Sequence, residues 1–273
     1  MDFKEFKSQI DAGMPHIDTG QISDYARAKP LLCMEVVGTA RNVDMLSKVP
    51  HTDIEDMSMV YRVQLGYDDR GAATVLVTNA MLEHYGVSKE QLHADAMESA
   101  QQVRPATIQT MKAVMAEMMG IPEEQLPDDA IPSVYVVSNE QRLQGAAAIF
   151  YPGLMEAAAR ELKGDFFVLP SSIHEVLLLP DDGQVTAAEL NAMVFSVNRT
   201  EVRTSEQLSD NVYHYDAAAR AFERGDAYEA RRDEKLYAKE NRSSVLRDLQ
   251  GKKQDTDLKP RTTAHCAKRE PAL

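Results

Sequence analysis

The chain has 273 residues, 44% of them hydrophobic, enough to bury a substantial core as one large domain or two small ones. Its net charge of −13 is concentrated in residues 1–199, where 15 Lys and Arg face 29 Asp and Glu, a balance of −14 that disfavours phosphate-backbone binding by the body of the protein. Cys33 and Cys266 are too few and too separated for a disulfide framework or a multi-cysteine zinc site, and the charged start Met1 to Ser8 and the absence of a long apolar run point to a soluble cytoplasmic protein without a membrane span.

Residues 2–12 read as a short amphipathic helix, with Phe3, Phe6 and Ile10 three and four apart. Leu31 to Val37 reads as a strand and Asn42 to Lys48 as a helical turn. Met57, Met59, Tyr61, Val63 and Leu65 alternate along a strand, Asp68 to Gly71 turns, and Ala73 to Thr78 returns as its hairpin partner. Asn79 caps a short helix to His84, and Ser88 with Gln91 forms a capping box for a helix to Val103. Pro105 suits the first turn of a further helix whose stripe of Ile108, Met111, Val114 or Met115, and Met118 reads as core, or as an adaptable binding face.

After an acidic loop from Pro122 to Pro132, Ser133 to Asn139 and Gly145 to Tyr151 read as paired strands, followed by a helix opened by Pro152 and ending before Gly164. Phe166 to Leu169 and Ile173 to Leu179 read as a hairpin turning through Pro170, Ser171 and Ser172. Thr186 and Glu189 then box the start of a helix holding Leu190, Met193, Val194 and Val197. Strand, strand, helix thus recurs three times. Leu208 to Asp216 adds a last short strand, and Ala217 to Leu249 reads as a charged helix. The predicted fold is α+β: antiparallel hairpins packed with helices over residues 30–216, preceded by an N-terminal helix and linker (1–29). A charged C-terminal helix (217–250) and a disordered tail (251–273) holding six basic and three acidic residues follow.

The densest set of reactive side chains is Ser171, Ser172, His174 and Glu175. In an extended strand His174, Val176 and Leu178 share one face while Ile173, Glu175, Leu177 and Leu179 share the other, so His174 and Glu175 diverge. Leu178 stands where a zinc-protease helix requires its second histidine. Ser171 and Ser172 therefore have two readings: turn-capping hydroxyls, or a nucleophile served by His174 as base. Asn79 and Asn139, each after a Val-Thr or Val-Ser strand end, join Glu175 as candidate binding residues. No phosphate loop, dinucleotide fingerprint or metal cluster is present, so neither a cofactor nor a metal is expected.

The combination of Met59-Val-Tyr61-Arg62-Val, Asn79-Ala-Met-Leu82, Gly145-Ala-Ala-Ala-Ile-Phe-Tyr151, Leu169-Pro-Ser-Ser-Ile-His174-Glu175-Val and Leu208-Ser-Asp210-Asn-Val-Tyr213 resembles the bacterial family with domain of unknown function 5688. The likeness covers residues 30 to 220 and is similar in outline to DUF1444-like proteins in the helix after the first hairpin and in the late strand pair. It implies a bacterial cytoplasmic protein of gut-associated Gram-positive genomes and their mobile elements. The family carries no established activity, so it implies no catalytic residue. The expectation is a non-enzymatic binding or accessory protein with a protein or small-molecule partner; the alternative is a hydrolase-like enzyme at the Pro170 to Glu175 turn.

Overall fold

The computed structural model describes residues 19–68, 71–127 and 133–238. The predicted helix at 2–12, Cys266, the end of the C-terminal helix and the tail at 251–273 lie outside these residues. The chain divides into a first unit, Met1–Ala227, and a second, Tyr228–Leu273.

The first unit holds two antiparallel sheets. β1 (Leu32–Gly38), β2 (His51–Ile54), β3 (Met57–Asp68) and β4 (Gly71–Leu76) form one, with β3 at its centre: β1 lies along one edge of β3, while β2 and β4 share the other. α1 (Asn79–Tyr85) and α2 (Lys89–Val103) follow, then β5 (Ala106–Thr110), α3 (Met111–Met119), β6 (Tyr135–Asn139), a 3-10 helix (Gly145–Phe150) and α4 (Leu154–Leu162). β7 (Phe166–Ser172), β8 (Glu175–Pro180), α5 (Ala187–Thr200), β9 (Tyr213–Asp216) and β10 (Ala221–Arg224) complete the unit. The second sheet has the order β10-β9-β7-β8-β6-β5.

Strand alternation builds the core. Met57, Met59, Tyr61 and Val63 of β3 are in register with Gly38, Val36, Met34 and Leu32 of β1, so all face one side and are buried together. They join Leu92, Ala96 and Ala100 of α2, Ala146 to Ile149 of the 3-10 helix, and Val137, Phe166, Val168, Val176, Leu178, Tyr213 and Tyr215 of the second sheet in one cluster. The opposite face of the second sheet is covered by α5, whose Ala187, Leu190 and Val194 pack on Phe167 and Leu169, with Leu177 and Leu179 beside them. Both faces of the β7–β8 hairpin are thus occupied, which explains its near-continuous apolar runs. Thr186 and Glu189 form the expected reciprocal capping box at α5.

Several local expectations are corrected. Gly145 to Tyr151 is not a strand; the alanine run is apolar at every position, carries no period-two signal, and suits a helix buried on all sides. Only the first and third of the three strand-strand-helix units therefore hold. Pro105 does not open a helix: Ala106–Thr110 is an edge strand, Thr110 caps α3, and Met118 is 78% exposed rather than core. β7 runs through Pro170 and Ser172, shifted by a bulge, and the turn falls at Ile173 and His174. Thr78, not Asn79, caps α1. Residues 217–224 are turn and strand rather than helix, because Phe222 stacks on Tyr213 at 5.0 Å and meets Phe150 edge-on at 5.3 Å; helix begins at residue 225.

His214 of β9 is fully buried, edge-on to Phe167 at 5.0 Å, with Nε2 3.1 Å from Asp181 Oδ2. Burial pushes its pKa down, outweighing the opposing pull of Asp181.

Two predictions follow from the core. Leu178→Ala, at a fully buried site, should cost about 2 to 5 kcal/mol in denaturant melts, and a loss below about half a kilocalorie would remove Leu178 from the core. Because the folded pKa of His214 lies below its unfolded value near about 6.5, the unfolded state takes up the extra proton and stability falls as pH drops from that value toward the folded pKa. His93, also shifted down by burial, adds to the same slope. His214→Gln should therefore flatten, without abolishing, the loss of stability on mild acidification.

Candidate functional site

The turn at Ile173 and His174 is pinned from every side. Ile173 N–H donates to Glu206 O at 2.9 Å and Ile173 O accepts from Ala146 N at 3.2 Å. His174 N–H donates to Ser172 Oγ at 3.1 Å, and His174 O accepts from Ser138 Oγ at 2.8 Å. His174 Nδ1 accepts from the Gln144 backbone N–H at 3.2 Å, so the neutral ring carries its proton on Nε2. Ser172 is therefore a turn-capping hydroxyl in this geometry. Ser171 sits elsewhere, lining a shallow apolar cleft with Leu169, Leu177 and Met193. Glu175, half-buried, pairs with Ser172 across the turn.

Asn139 is 1% exposed and closes a loop on itself: Nδ2 donates to Leu143 O at 2.9 Å while Oδ1 accepts from Leu143 N at 3.3 Å. Asn79, exposed, ties the start of α1 to the loop before β2 through Ser47 O at 3.3 Å and Lys48 O at 3.0 Å. The structure thus unites His174, Ser172, Ser138 and Asn139 around one loop and leaves Ser171 and Asn79 apart.

A larger concavity, an open cleft of about 600 Å³, lies where the β2–β3 turn of the first sheet meets the segment leading into β9 of the second. Gly38 to Arg41 form one wall, Leu208 to Asn211 the other, and Glu55 and Asp56 lie between them. The walls approach so closely that a Cβ on Gly38 would stand 2.3 Å from Leu208 O, which restricts that position to glycine.

Asp56 joins the two sheets. Its Oδ2 accepts from Ser209 Oγ at 2.7 Å and Asn211 Nδ2 at 2.9 Å, its Oδ1 accepts from the Tyr213 hydroxyl, and its backbone oxygen accepts from Thr39 N at 3.0 Å. Burial pushes the carboxyl up, but these hydrogen bonds together hold it below the usual carboxylate range. Burial and the Asp56 carboxylate push the Tyr213 phenol up. Asn211 Oδ1 accepts in turn from Arg224 Nη2 at 3.1 Å, and Arg224 pairs with Asp226 at 2.7 Å. At the rim Arg41 meets Asp210 at 3.4 Å, and Asn198 fixes Asp210 and Ser209 O at 2.7 and 3.0 Å. Glu55, Asp56 and Asp210 against Arg41 give the cleft a negative balance that suits a cationic or hydrogen-bond-donating ligand.

The Ser209-Asp210-Asn211 segment was visible in the sequence as part of a motif, but its partner Asp56 is 153 residues from Ser209 and sits in a turn with no sequence signature. Among the described residues no group of three or more His, Cys, Asp or Glu is placed to hold a metal ion, and no helix is long and apolar enough to cross a membrane.

Asp56→Ala should strand the buried Ser209 and Tyr213 donors, each at a cost of about 1 to 3 kcal/mol, and release the half-buried Asn211 amide to the cleft. The double variant Asp56→Ala, Tyr213→Phe should lose less than the sum of the single variants. Strict additivity in denaturant melts would mean that the two side chains do not act as a unit.

The sequence matches a family of unknown function, DUF5688, over residues 5–217. That match does not extend the likeness to DUF1444-like proteins. No curated protein and no solved structure matches the chain.

Proposed function

The chain belongs to the DUF5688 family, and on that premise we propose that it is a non-enzymatic binding or accessory protein of a bacterial cytoplasm, whose open cleft receives a small ligand bearing a cationic or hydrogen-bond-donating group. The observation that carries this reading is Asp56. Three side-chain donors, two from the segment leading into β9 and one from β9 itself, fix a carboxylate of the β2–β3 turn, so the cleft is held in shape before any ligand arrives and little ordering cost remains for binding. The −14 balance of residues 1–199 argues against nucleic acid as the partner of this unit.

The hydrolase-like reading, with Ser171 or Ser172 as nucleophile and His174 as base, has less support. A base must reach its nucleophile, whereas Ser172 Oγ is engaged by the His174 amide and His174 Nδ1 by the Gln144 amide.

Native mass spectrometry of the full chain, isolated from its host without denaturation, tests the proposal against an Ala40→Trp variant that fills the cleft mouth without touching Asp56. A small molecule retained by the wild type and lost from Ala40→Trp, at equal thermal midpoint, is the expected result. Equal retention by both would place the ligand elsewhere. Labelling of Ser171 or Ser172 by a fluorophosphonate probe, lost in His174→Ala, would favour the enzyme.

A further inference from the structure

Arg104 caps the C-terminus of α2 and is 1% exposed. Its Nε donates to Gln64 Oε1 at 2.9 Å, and its Nη1 donates to Leu143 O at 3.2 Å and Gln144 Oε1 at 2.9 Å. All three acceptors are neutral. Nη2 is buried and has no hydrogen-bond partner. Among the described residues no carboxylate lies within ion-pair distance of this guanidinium, whereas Arg62 is paired with Glu35 at 2.5 Å. Buried guanidinium groups are ordinarily paired, because an uncompensated buried charge carries a desolvation cost that neutral acceptors only partly offset. The α2 C-terminus contributes about half a charge at best.

The surroundings of this unbalanced cation are constructed with care. Both Arg142 and Gln144, neither of them glycine, hold left-handed backbone at φ 52° and 53°. Asn139 clamps Leu143, and His174 Nδ1 holds the Gln144 amide, so two of the three residues that present oxygens to Arg104 are fixed by the polar motifs at the ends of β6 and β7, the third, Gln64, standing on β3. Strain and clamps thus surround a guanidinium whose Nη2 has no hydrogen-bond partner among the described residues. Gln64 and Gln144 are only half-buried, which leaves Arg104 one side-chain layer below solvent. Both amides turn their oxygens to Arg104, which leaves their NH₂ groups as further donors at this site. Cys33, opposite Arg62 in register, is pushed up chiefly by burial and also by Glu35, against a downward pull from Arg104 and Arg62.

We propose that Arg104, with Gln64 and Gln144, is a binding site for a small oxyanion, a phosphate or sulfate group or a ligand carboxylate, that docks on Nη2. The site is separate from the Asp56 cleft and stands whether or not that cleft binds a ligand.

The test titrates full-length protein with inorganic phosphate, sulfate and malonate, using chloride at matched ionic strength, and follows thermal midpoint and heat of binding in the wild type and in Arg104→Met. The expected wild-type result is a saturable rise in midpoint with one binding event per chain for at least one oxyanion, the preferred one identifying a phosphate, sulfate or carboxylate guest. Arg104→Met should lose that rise and, in anion-free buffer, melt at or above the wild-type midpoint because the unbalanced charge has gone. Sulfate and phosphate also stabilise proteins generally by exclusion from their surfaces, so a wild-type rise no larger than that of Arg104→Met overturns the proposal and assigns Nη2 to a buried water. Should Arg104→Met fail to fold, the wild-type calorimetry decides alone: a saturable heat with phosphate, sulfate or malonate but not chloride supports the site, and no saturable heat with any of the three overturns it.

Discussion

The rest of the packing depends on a close backbone approach at Gly145. A Cβ there would stand 2.3 Å from Ser138 Oγ, 2.6 Å from His174 O and 2.7 Å from Asn139 N, so this position accepts only a residue without a side chain. That approach lets the 3-10 helix press against the second sheet, where Ala146, Ala147, Ala148 and Ile149 become almost completely buried in the common core. Small residues are required because the backbone itself fills the space, and interiors tolerate neither overlap nor void. The same contact fixes the Ile173–His174 turn against the end of β6, since Ala146 N–H donates to Ile173 O. One steric constraint therefore sets the packing of the core and the geometry of the polar loop above it.

How far the sequence announces this structure depends on which force shapes each element. β3 is legible because its core-facing residues alternate, and β8 because both faces are covered, which gives an apolar run closed by Pro180. α2 and α5 are legible because Ser88 and Thr186 cap them locally. The 3-10 helix is not, since an all-apolar run carries no period. β10 is not, since four residues with a single anchoring aromatic, Phe222, gain their strand conformation only by pairing with β9. The α3 stripe misleads for the opposite reason: its methionines have helical spacing, yet Met118 and Met119 face solvent. At the sites the motifs were visible and their partners were not. Ser209, Asn211 and Tyr213 could be picked out, but Asp56 is brought to them only by the meeting of two sheets.

Two polar stations of opposite sign result, and they differ in how their charge is compensated. Asp56 receives three side-chain donors and keeps access to the cleft, so its ionised form is favoured without a counter-cation. Arg104 is deeper, donates only to neutral oxygens, and keeps an Nη2 without a partner among the described residues. A carboxylate in the first situation is at rest. A guanidinium in the second is not, because neutral acceptors orient the group without neutralising it.

This contrast also gives the Pro170 to Glu175 motif a physical role that needs no catalysis. The Gln144 backbone lies in the left-handed region, a conformation that a non-glycine residue holds only when its neighbours over-determine it. His174 Nδ1 supplies one such restraint by accepting the Gln144 N–H, and Ser138 and Ser172 keep the imidazole in place by bonding both ends of the His174 backbone. A histidine suits this position because it offers an unprotonated ring nitrogen to a backbone donor while remaining bulky enough to be held by its turn. The serine and histidine that look like a nucleophile and its base are thereby arranged as successive supports for Gln144, and Gln144 is the residue that brings its amide oxygen to Arg104. Ser172 and His174 are thus accounted for by the loop they hold, whose Leu143 and Gln144 present oxygens to one buried positive charge.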